Sequence, residues 1–514
     1  MQRWNNVLLI SLLLEKRKRE MRPAAKSRLG SLLTSSSHIV QLFPASKAAT
    51  GNTFHVHNPS NGDVLATVRE TDSPENVMQR CSDEMRTFRK TPVTERAELL
   101  KNYSRKISEN SQELAEIITL ESGKPIRESL GEIGYATSFL DFYGNNELRP
   151  KDREIKNPFP DSRSLTVKKQ SVGLSAFITP WNFPISMITR KIAPAIMMGG
   201  TCVLKPSELT PLVAIALEKL AFDSGIPQDV FRLVLAGTKS TPSIGKLFCE
   251  DRRVKKISFT GSTSVGKTLL RWSSTSPIVK RFSLELGGNA VFIVCESADV
   301  DSAVDGAINS KFRNAGQTCV CSDRFLIHEK VADEFEEKLL ARVQTIRVKD
   351  GFERGCDMSC LITSESVDKI EFRVNSAVAN GAVVLIGGER LPDLGENYFS
   401  PTVIAGVSLD DEIWRSENFG PVIALRRFSD IDEAINTAND SDAGLCNYFY
   451  SRDQGEIEAV ADSLESGMVG INCGIISNCH APFGGVGGSG LGREGGVEGY
   501  DSYVETKYLC SSNF

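Results

Sequence analysis

From about residue 50 onward the chain alternates short β-rich runs with amphipathic helical stretches, and no repeat or low-complexity segment interrupts the pattern. Such alternation leaves few folds open, because each strand–helix–strand unit sets two strands parallel and covers them with the helix between. The expected class is therefore α/β with largely parallel sheets. Residues 172–179, 201–204, 230–235 and 254–259 read as buried strands and 211–223 as an intervening helix, a doubly wound nucleotide-binding pattern. A second α/β stretch starts near 290–294 and runs into a helix on which Val300, Val304, Ala307, Ile308 and Phe312 share one face. That helix is expected to end near Gly316. The polar, proline-bearing stretch 150–163 breaks the pattern and supports a linker.

The length of 514 residues gives room for roughly three domains. With 60 basic and 65 acidic residues and a formal net charge of −5, the chain has no broad basic field to hold a phosphate backbone, so nucleic acid is not an expected partner. Twelve cysteines spread over so long a chain do not make a disulfide scaffold. Before residue 50 the composition changes. The apolar run 7–14 is too short to cross a bilayer, which takes ~20 residues, so no membrane span is expected. Residues 21–62 contain no Asp or Glu, while Arg22, Lys26, Arg28 and Lys47 stand among Ser31, Ser35, Ser36 and Ser37. Two readings fit: a mitochondrial transit segment leading to the matrix, or a disordered tail on a cytoplasmic protein. Glu15 and Glu20 count against the first if translation starts at Met1, and a start at Met21 removes them.

Two residues suggest acyl-enzyme chemistry. Cys319, in Asn314-Ala315-Gly316-Gln317-Thr318-Cys319, can act as a nucleophile on an electron-poor carbonyl if its surroundings lower its pKa. Glu285, in Leu284-Glu285-Leu286-Gly287-Gly288, can take a proton from the water that cleaves the resulting thioester. A free thiolate needs a reducing compartment. Alone, Cys319 would read as a core residue, since cysteine is among the most buried types. A competing motif is Gly261-Ser262-Thr263-Ser264-Val265-Gly266-Lys267-Thr268, a full match to the phosphate-loop pattern between a strand and a helix. No convincing downstream strand ends in a magnesium-binding Asp, and a helix N-terminus with small residues accepts a dinucleotide pyrophosphate equally well. Zinc on Cys319, Cys321, Cys356 and Cys360 has no independent support, and no metal is expected.

Thr179-Pro180-Trp181-Asn182-Phe183-Pro184, Lys205-Pro206-Ser207-Glu208, 259–266, Glu285-Leu286-Gly287-Gly288, Gly316-Gln317-Thr318-Cys319 and Glu417-Asn418-Phe419-Gly420-Pro421 resemble, in order, the motifs of the aldehyde dehydrogenase family. The likeness runs over roughly residues 55–510. It implies an atypical Rossmann coenzyme domain (51–150 and 170–285), an α/β catalytic domain (286–480), oligomerisation segments including a hairpin (151–169 and 497–514) and a homo-oligomer. Residues 1–50 would be a targeting segment outside these units.

By this resemblance Cys319 is the nucleophile, Glu285 the base and Asn182 the oxyanion donor, a contribution that typically lowers the barrier by ~3 kcal/mol. Lys205 and Glu417 would grip coenzyme ribose hydroxyls, with Trp181, Pro206, Ser207, Gly261, Ser262, Gly266 and Phe419 completing the coenzyme set. Glu208 matches the adenosine-ribose position, where a carboxylate repels a 2′-phosphate, so NAD is the implied cofactor. Within the family the likeness is strongest to the members acting on succinate semialdehyde. Their substrate-carboxylate contacts correspond to Arg190, Arg313 and Ser477, and guanidinium matches carboxylate geometry better than ammonium does. Structural salt bridges are the alternative for both arginines. The resemblance further implies a reversible Cys319–Cys321 disulfide that switches activity off, set against Cys321 as a small buried hydrophobe. Gly487 stands where the family commonly has Lys, and Val291 where close relatives have Pro.

The implied reaction is oxidation of succinate semialdehyde to succinate through a thiohemiacetal and a thioester. The rivals are another short carboxylated aldehyde, a phosphate-loop nucleotide hydrolase, and a non-catalytic binding protein of dehydrogenase ancestry.

Overall fold

The computed structural model describes residues 32–33, 36–42, 52–158 and 163–512, so most of the targeting segment read over 1–50 lies outside the described residues, while within it Ile39–Leu42 forms a strand paired antiparallel with Val64–Arg69. Two sheets dominate. The first runs Gly490–Leu491, Arg281–Glu285, Val254–Thr260, Leu174–Ile178, Cys202–Lys205 and Phe231–Leu233 in spatial order. All neighbours are parallel except Gly490–Leu491. Chain order reverses between Leu174–Ile178 and Val254–Thr260, which opens a crevice at the carboxyl ends of the strands, where α/β folds bind ligands.

Strand alternation explains how this sheet is buried on both sides. Cys202 and Leu204 face one apolar cluster together with Phe177, and Val203 faces another with Ala176, Ile257 and Leu284. The helix Pro211–Asp223 begins with proline at its first position, where the missing N–H costs nothing. Its next two amides, of Leu212 and Val213, donate to Glu121 on the helix Ser111–Ser122 at 2.8 and 3.0 Å.

The second sheet runs Val383–Ile386, Thr402–Ala405, Val422–Phe428, Ser322–His328, Ala290–Val294, Cys446–Tyr450 and Met468–Ile471. All five residues of Ala290–Val294 and all seven of Ser322–His328 are buried, as expected of parallel strands covered on both faces. The stretch read as a linker contains a short strand, Arg153–Ile155, paired antiparallel with Arg163–Ser171. Arg163–Ser171 in turn pairs with Val504–Ser512 along its whole length.

The helix expected to end near Gly316 stops earlier. Asp299 caps its start by accepting from the Ser302 amide, and the α-helix ends at Lys311. Beyond it Asn314, Ala315 and Gly316 take left-handed φ values of 51°, 53° and 76°. Such a conformation at Ala costs ~1 kcal/mol or more and must be held by its surroundings. No helix among the described residues is long and apolar enough to cross a membrane.

Candidate active site

The turn that carries Cys319 is held from several directions. Glu128, on the helix Ile126–Tyr143, accepts from the Asn314 amide at 2.8 Å. The Gln317 side chain donates to the Asn314 carbonyl at 3.1 Å and accepts from the Ile362 amide at 2.9 Å. Glycine is required twice. A Cβ on Gly316 would lie 2.1 Å from the Gly420 carbonyl oxygen, and one on Gly288 would lie 2.2 Å from the Cys319 carbonyl oxygen. On either side of the turn, a buried Lys311–Asp323 pair closes at 2.6 Å, and Asp323 also accepts from the Asn418 amide at 3.0 Å.

Cys319 stands between two cavities. One, of about 250 Å³, is lined by Trp181, Asn182, Gly261, Ser262, Glu285, Glu417, Phe419 and Cys319. The other, of about 30 Å³, is lined by Cys319, Arg190, Arg313, Ser477, Tyr135, Phe183 and Phe483. Glu285 ends the strand Arg281–Glu285 beside Thr260, so the crevice of the first sheet opens directly onto the thiol of the second. Asn182 has its amide orientation fixed at both ends: Nδ2 donates to the Gln317 carbonyl at 3.1 Å, and Oδ1 accepts from the Phe183 amide at 3.1 Å. Its second amide hydrogen is left for a ligand.

The coenzyme positions fit a dinucleotide in part. Ser262 caps the helix Thr263–Ser273 with its hydroxyl, and a Cβ on Gly266 would meet the Leu286 side chain at 2.6 Å, so helix and strand pack close. Trp181 and Phe419 meet edge to face at 5.6 Å, and Phe419 has φ 55°. Glu417 lines the larger cavity and accepts from the Gly288 amide at 3.0 Å; burial pushes its pKa up to about 7. Lys205, Pro206, Ser207, Glu208 and Gly266 do not line that cavity. Lys205 and Glu208 pair with each other at 2.7 Å. Their segment still leaves the carboxyl edge next to 179–182, since Ile178 pairs with Lys205 and the Thr179 amide donates to the Lys205 carbonyl at 3.2 Å. These residues would hold a nicotinamide dinucleotide along the strand ends.

The phosphate-loop match does not form a phosphate loop. Only Gly261 and Ser262 separate the strand Val254–Thr260 from the helix Thr263–Ser273, so Gly266, Lys267 and Thr268 already lie inside the helix. The Gly266 amide donates to the Ser262 carbonyl at 3.0 Å and is not available to cradle a phosphate.

The surroundings do not lower the Cys319 pKa: burial pushes it up to about 12, the Arg190 guanidinium opposing this and Glu417, Glu285 and Cys321 adding to it. Arg190 lines the small cavity, and its Nε lies 2.5 Å from Glu494 Oε2 with both side chains buried. None of its three nitrogens has a well-aligned hydrogen-bond acceptor among the described residues, so the contact is chiefly coulombic. Arg313 is half-buried 5.4 Å over the Phe183 ring, makes no salt bridge among the described residues, and acts at longer range on the Glu128 carboxylate. Cys321 is a buried free thiol whose Sγ donates to the Lys311 carbonyl at 3.7 Å.

Sequence reasoning missed Tyr135 and Glu494. The Tyr135 hydroxyl lies near both arginines, whose charges oppose the upward push that burial gives its pKa. Glu494 accepts from Lys191 at 2.5 Å and Ser258 at 2.8 Å, and its negative charge, after burial, raises the pKa of Glu285. Tyr135 follows Glu128 and Glu132 at helical spacing, a signal that was present in the sequence.

The family model described as "Aldehyde dehydrogenase family" matches residues 46–509. The chain is 46% identical to the mitochondrial succinate-semialdehyde dehydrogenase of Rattus norvegicus, over 90% of this chain and 88% of the relative. It is 43% identical to the succinate-semialdehyde dehydrogenase [NADP(+)] of Escherichia coli (strain K12), over 90% and 95%. The crystal structure of succinate-semialdehyde dehydrogenase from Burkholderia pseudomallei superposes with a TM-score of 0.88 at 42% identity, covering 94% of this chain and all of that one (100%).

Proposed function

The chain belongs to the aldehyde dehydrogenase family, and we propose that within it this enzyme oxidises succinate semialdehyde to succinate with NAD. The observation that carries the substrate is the small cavity in which two guanidiniums, Arg190 and Arg313, and the Ser477 hydroxyl share a wall with the Cys319 thiol. With its aldehyde carbon at Cys319, a four-carbon substrate would direct its terminal carboxylate toward these groups, and the cavity, about 30 Å³ as it stands, would have to widen to admit it.

The chain's own residues divide the work as follows. Cys319 gives up its proton to solvent, and the thiolate sulfur bonds to the aldehyde carbon. Asn182 Nδ2 and a backbone amide hold the oxyanion. Bound NAD supplies the hydride acceptor. Glu285 then takes a proton from water, whose oxygen attacks the thioester; the C–S bond breaks, and succinate and the Cys319 sulfur leave separately.

Glu208 favours NAD over NADP, because a carboxylate at the adenosine ribose repels a 2′-phosphate. The basic, acid-free segment and the name of the rat relative support a mitochondrial location. The strand Val504–Ser512, largely exposed, suits contact with a second copy. Oxidation of Cys319 and Cys321 to a disulfide would block the nucleophile reversibly.

The test is NADH absorbance on mixing the protein with NAD or NADP and succinate semialdehyde, other carboxylated aldehydes or uncharged ones, with ATP hydrolysis as a control. Succinate semialdehyde with NAD should give the highest kcat/KM. A higher value with an uncharged aldehyde would overturn the substrate assignment, and no NADH with any aldehyde would overturn the enzyme reading.

A further inference from the structure

Beneath the oxyanion segment lies an ion pair with no access to solvent. Lys124 and Glu132 are both about 1% exposed at their side chains and meet at 2.6 Å. Lys124 follows Gly123, whose left-handed φ of 77° ends the helix Ser111–Ser122 and turns the chain inward. Its Nζ also donates to the backbone carbonyl of Asn182 at 2.6 Å and stands 4.3 Å over the Phe183 ring. The other oxygen of Glu132 accepts from the amides of Ile185 and Ser186 at 3.0 and 3.3 Å and from the Ser186 hydroxyl at 3.2 Å. Those groups open the helix Ser186–Met197, which carries Arg190. One ion pair thus grips residues 182–186 at both ends.

Burying two charges gives little net stability, and an apolar pair of similar volume often serves as well or better. The placement is better explained by position. Asn182 must hold its free N–H to within a few tenths of an ångström of hydrogen-bonding position for the developing oxyanion, and its backbone is what Lys124 holds. We propose that Lys124, locked by Glu132, is a positioning residue for the Asn182 oxyanion donor. The proposal rests on the reading of Asn182 given above.

The test uses the full-length double variant Lys124→Met/Glu132→Gln. Glutamine can still accept from the start of the helix, and no lone charge remains buried. The stopped-flow NADH burst with succinate semialdehyde should slow by roughly 10-fold, the scale set by small misplacements of a reacting group. The thermal midpoint and the Kd for NAD should stay unchanged. In an Asn182→Ala background the same double change should cost less than about 2-fold, because the amide through which it acts is gone. Equal losses in both backgrounds, no loss in either, or a loss confined to KM would overturn the proposal. If Asn182→Ala alone leaves the burst unchanged, the oxyanion assignment itself fails.

Discussion

Replacing Arg313 by leucine isolates the substrate-carboxylate contact. Arg313 is half-buried, rests on the Phe183 ring and makes no salt bridge among the described residues, but its charge also favours the ionised form of Glu128, which holds the Asn314 amide, so the thermal midpoint of the variant is read alongside. Arg190 is the poorer target: its loss would strip Glu494 of one of two cations in a fully buried cluster, and breaking such a pair costs ~3–5 kcal/mol. A charge-assisted hydrogen bond contributes ~1.5–3 kcal/mol. Partial exposure of Arg313 argues for about 2 kcal/mol, which is roughly 30-fold at one decade per ~1.4 kcal/mol. The assay compares kcat/KM for succinate semialdehyde with that for butanal, which has the same four carbons without the carboxylate. In Arg313→Leu the ratio should fall roughly 30-fold, with butanal changed by less than about 2-fold. Equal loss for both aldehydes would refute the carboxylate role and return Arg313 to a structural one.

Glu285→Gln should leave a stoichiometric burst of NADH followed by slow turnover, because thioester hydrolysis loses its base; undiminished steady-state turnover would sink the assignment. The acid limb of kcat should lie well above the usual carboxylate range, since burial and Glu494 raise the Glu285 pKa and the base form disappears as pH falls. Glu494→Gln breaks the same buried cluster and should lower the thermal midpoint, but in the folded enzyme it removes the charge that repels Glu285, so the limb should move to lower pH; a pH–rate profile that moves upward contradicts this. Hydrogen peroxide should inactivate the enzyme reversibly by dithiothreitol with a mass loss of two hydrogens, whereas Cys321→Ala should retain NADH formation before oxidation and gain oxygen on oxidation. A parent enzyme that gains oxygen in the same way as Cys321→Ala would rule out that partner.

What could be read in advance was what depends on local periodicity. Ala290–Val294 shows as a buried strand because all five positions are apolar, and the helix Pro211–Asp223 shows from its proline start and its length. The loops at the strand ends carry recognisable residues, so Trp181, Ser262 and Glu285 could be named from the sequence. The early end of the helix at Lys311 could not, because Ala315 carries no local signal for a left-handed turn that Glu128 and, through Gln317, the Ile362 amide hold from elsewhere in the chain. The Lys205–Glu208 pair is local in sequence, yet its closure depends on burial of Lys205 at the sheet edge. The thiol pKa depends on burial and on Arg190, Glu285 and Glu417, which are remote in sequence from Cys319.

Buried ions gather where segments of different elements must meet. Lys124–Glu132 joins the oxyanion segment to the helix Ile126–Tyr143, Arg190 and Lys191 join their helix to Glu494, and Lys311–Asp323 brackets the nucleophile turn and reaches the Asn418 amide beside Glu417. If these pairs served stability, removing their charge should lower the thermal midpoint; if they set register, it should lower activity instead. Lys311→Met/Asp323→Asn separates the two, because asparagine can still accept from Asn418 while neither charge remains. The expected result is a midpoint within a few degrees of the parent, since a neutral swap is worth roughly 1 kcal/mol or less, with a reduced burst rate and a raised Kd for NAD. A lower midpoint with unchanged kinetics would assign the pair to stability. The same outcome at Lys124–Glu132 would remove the reason for burying charge beneath the oxyanion donor.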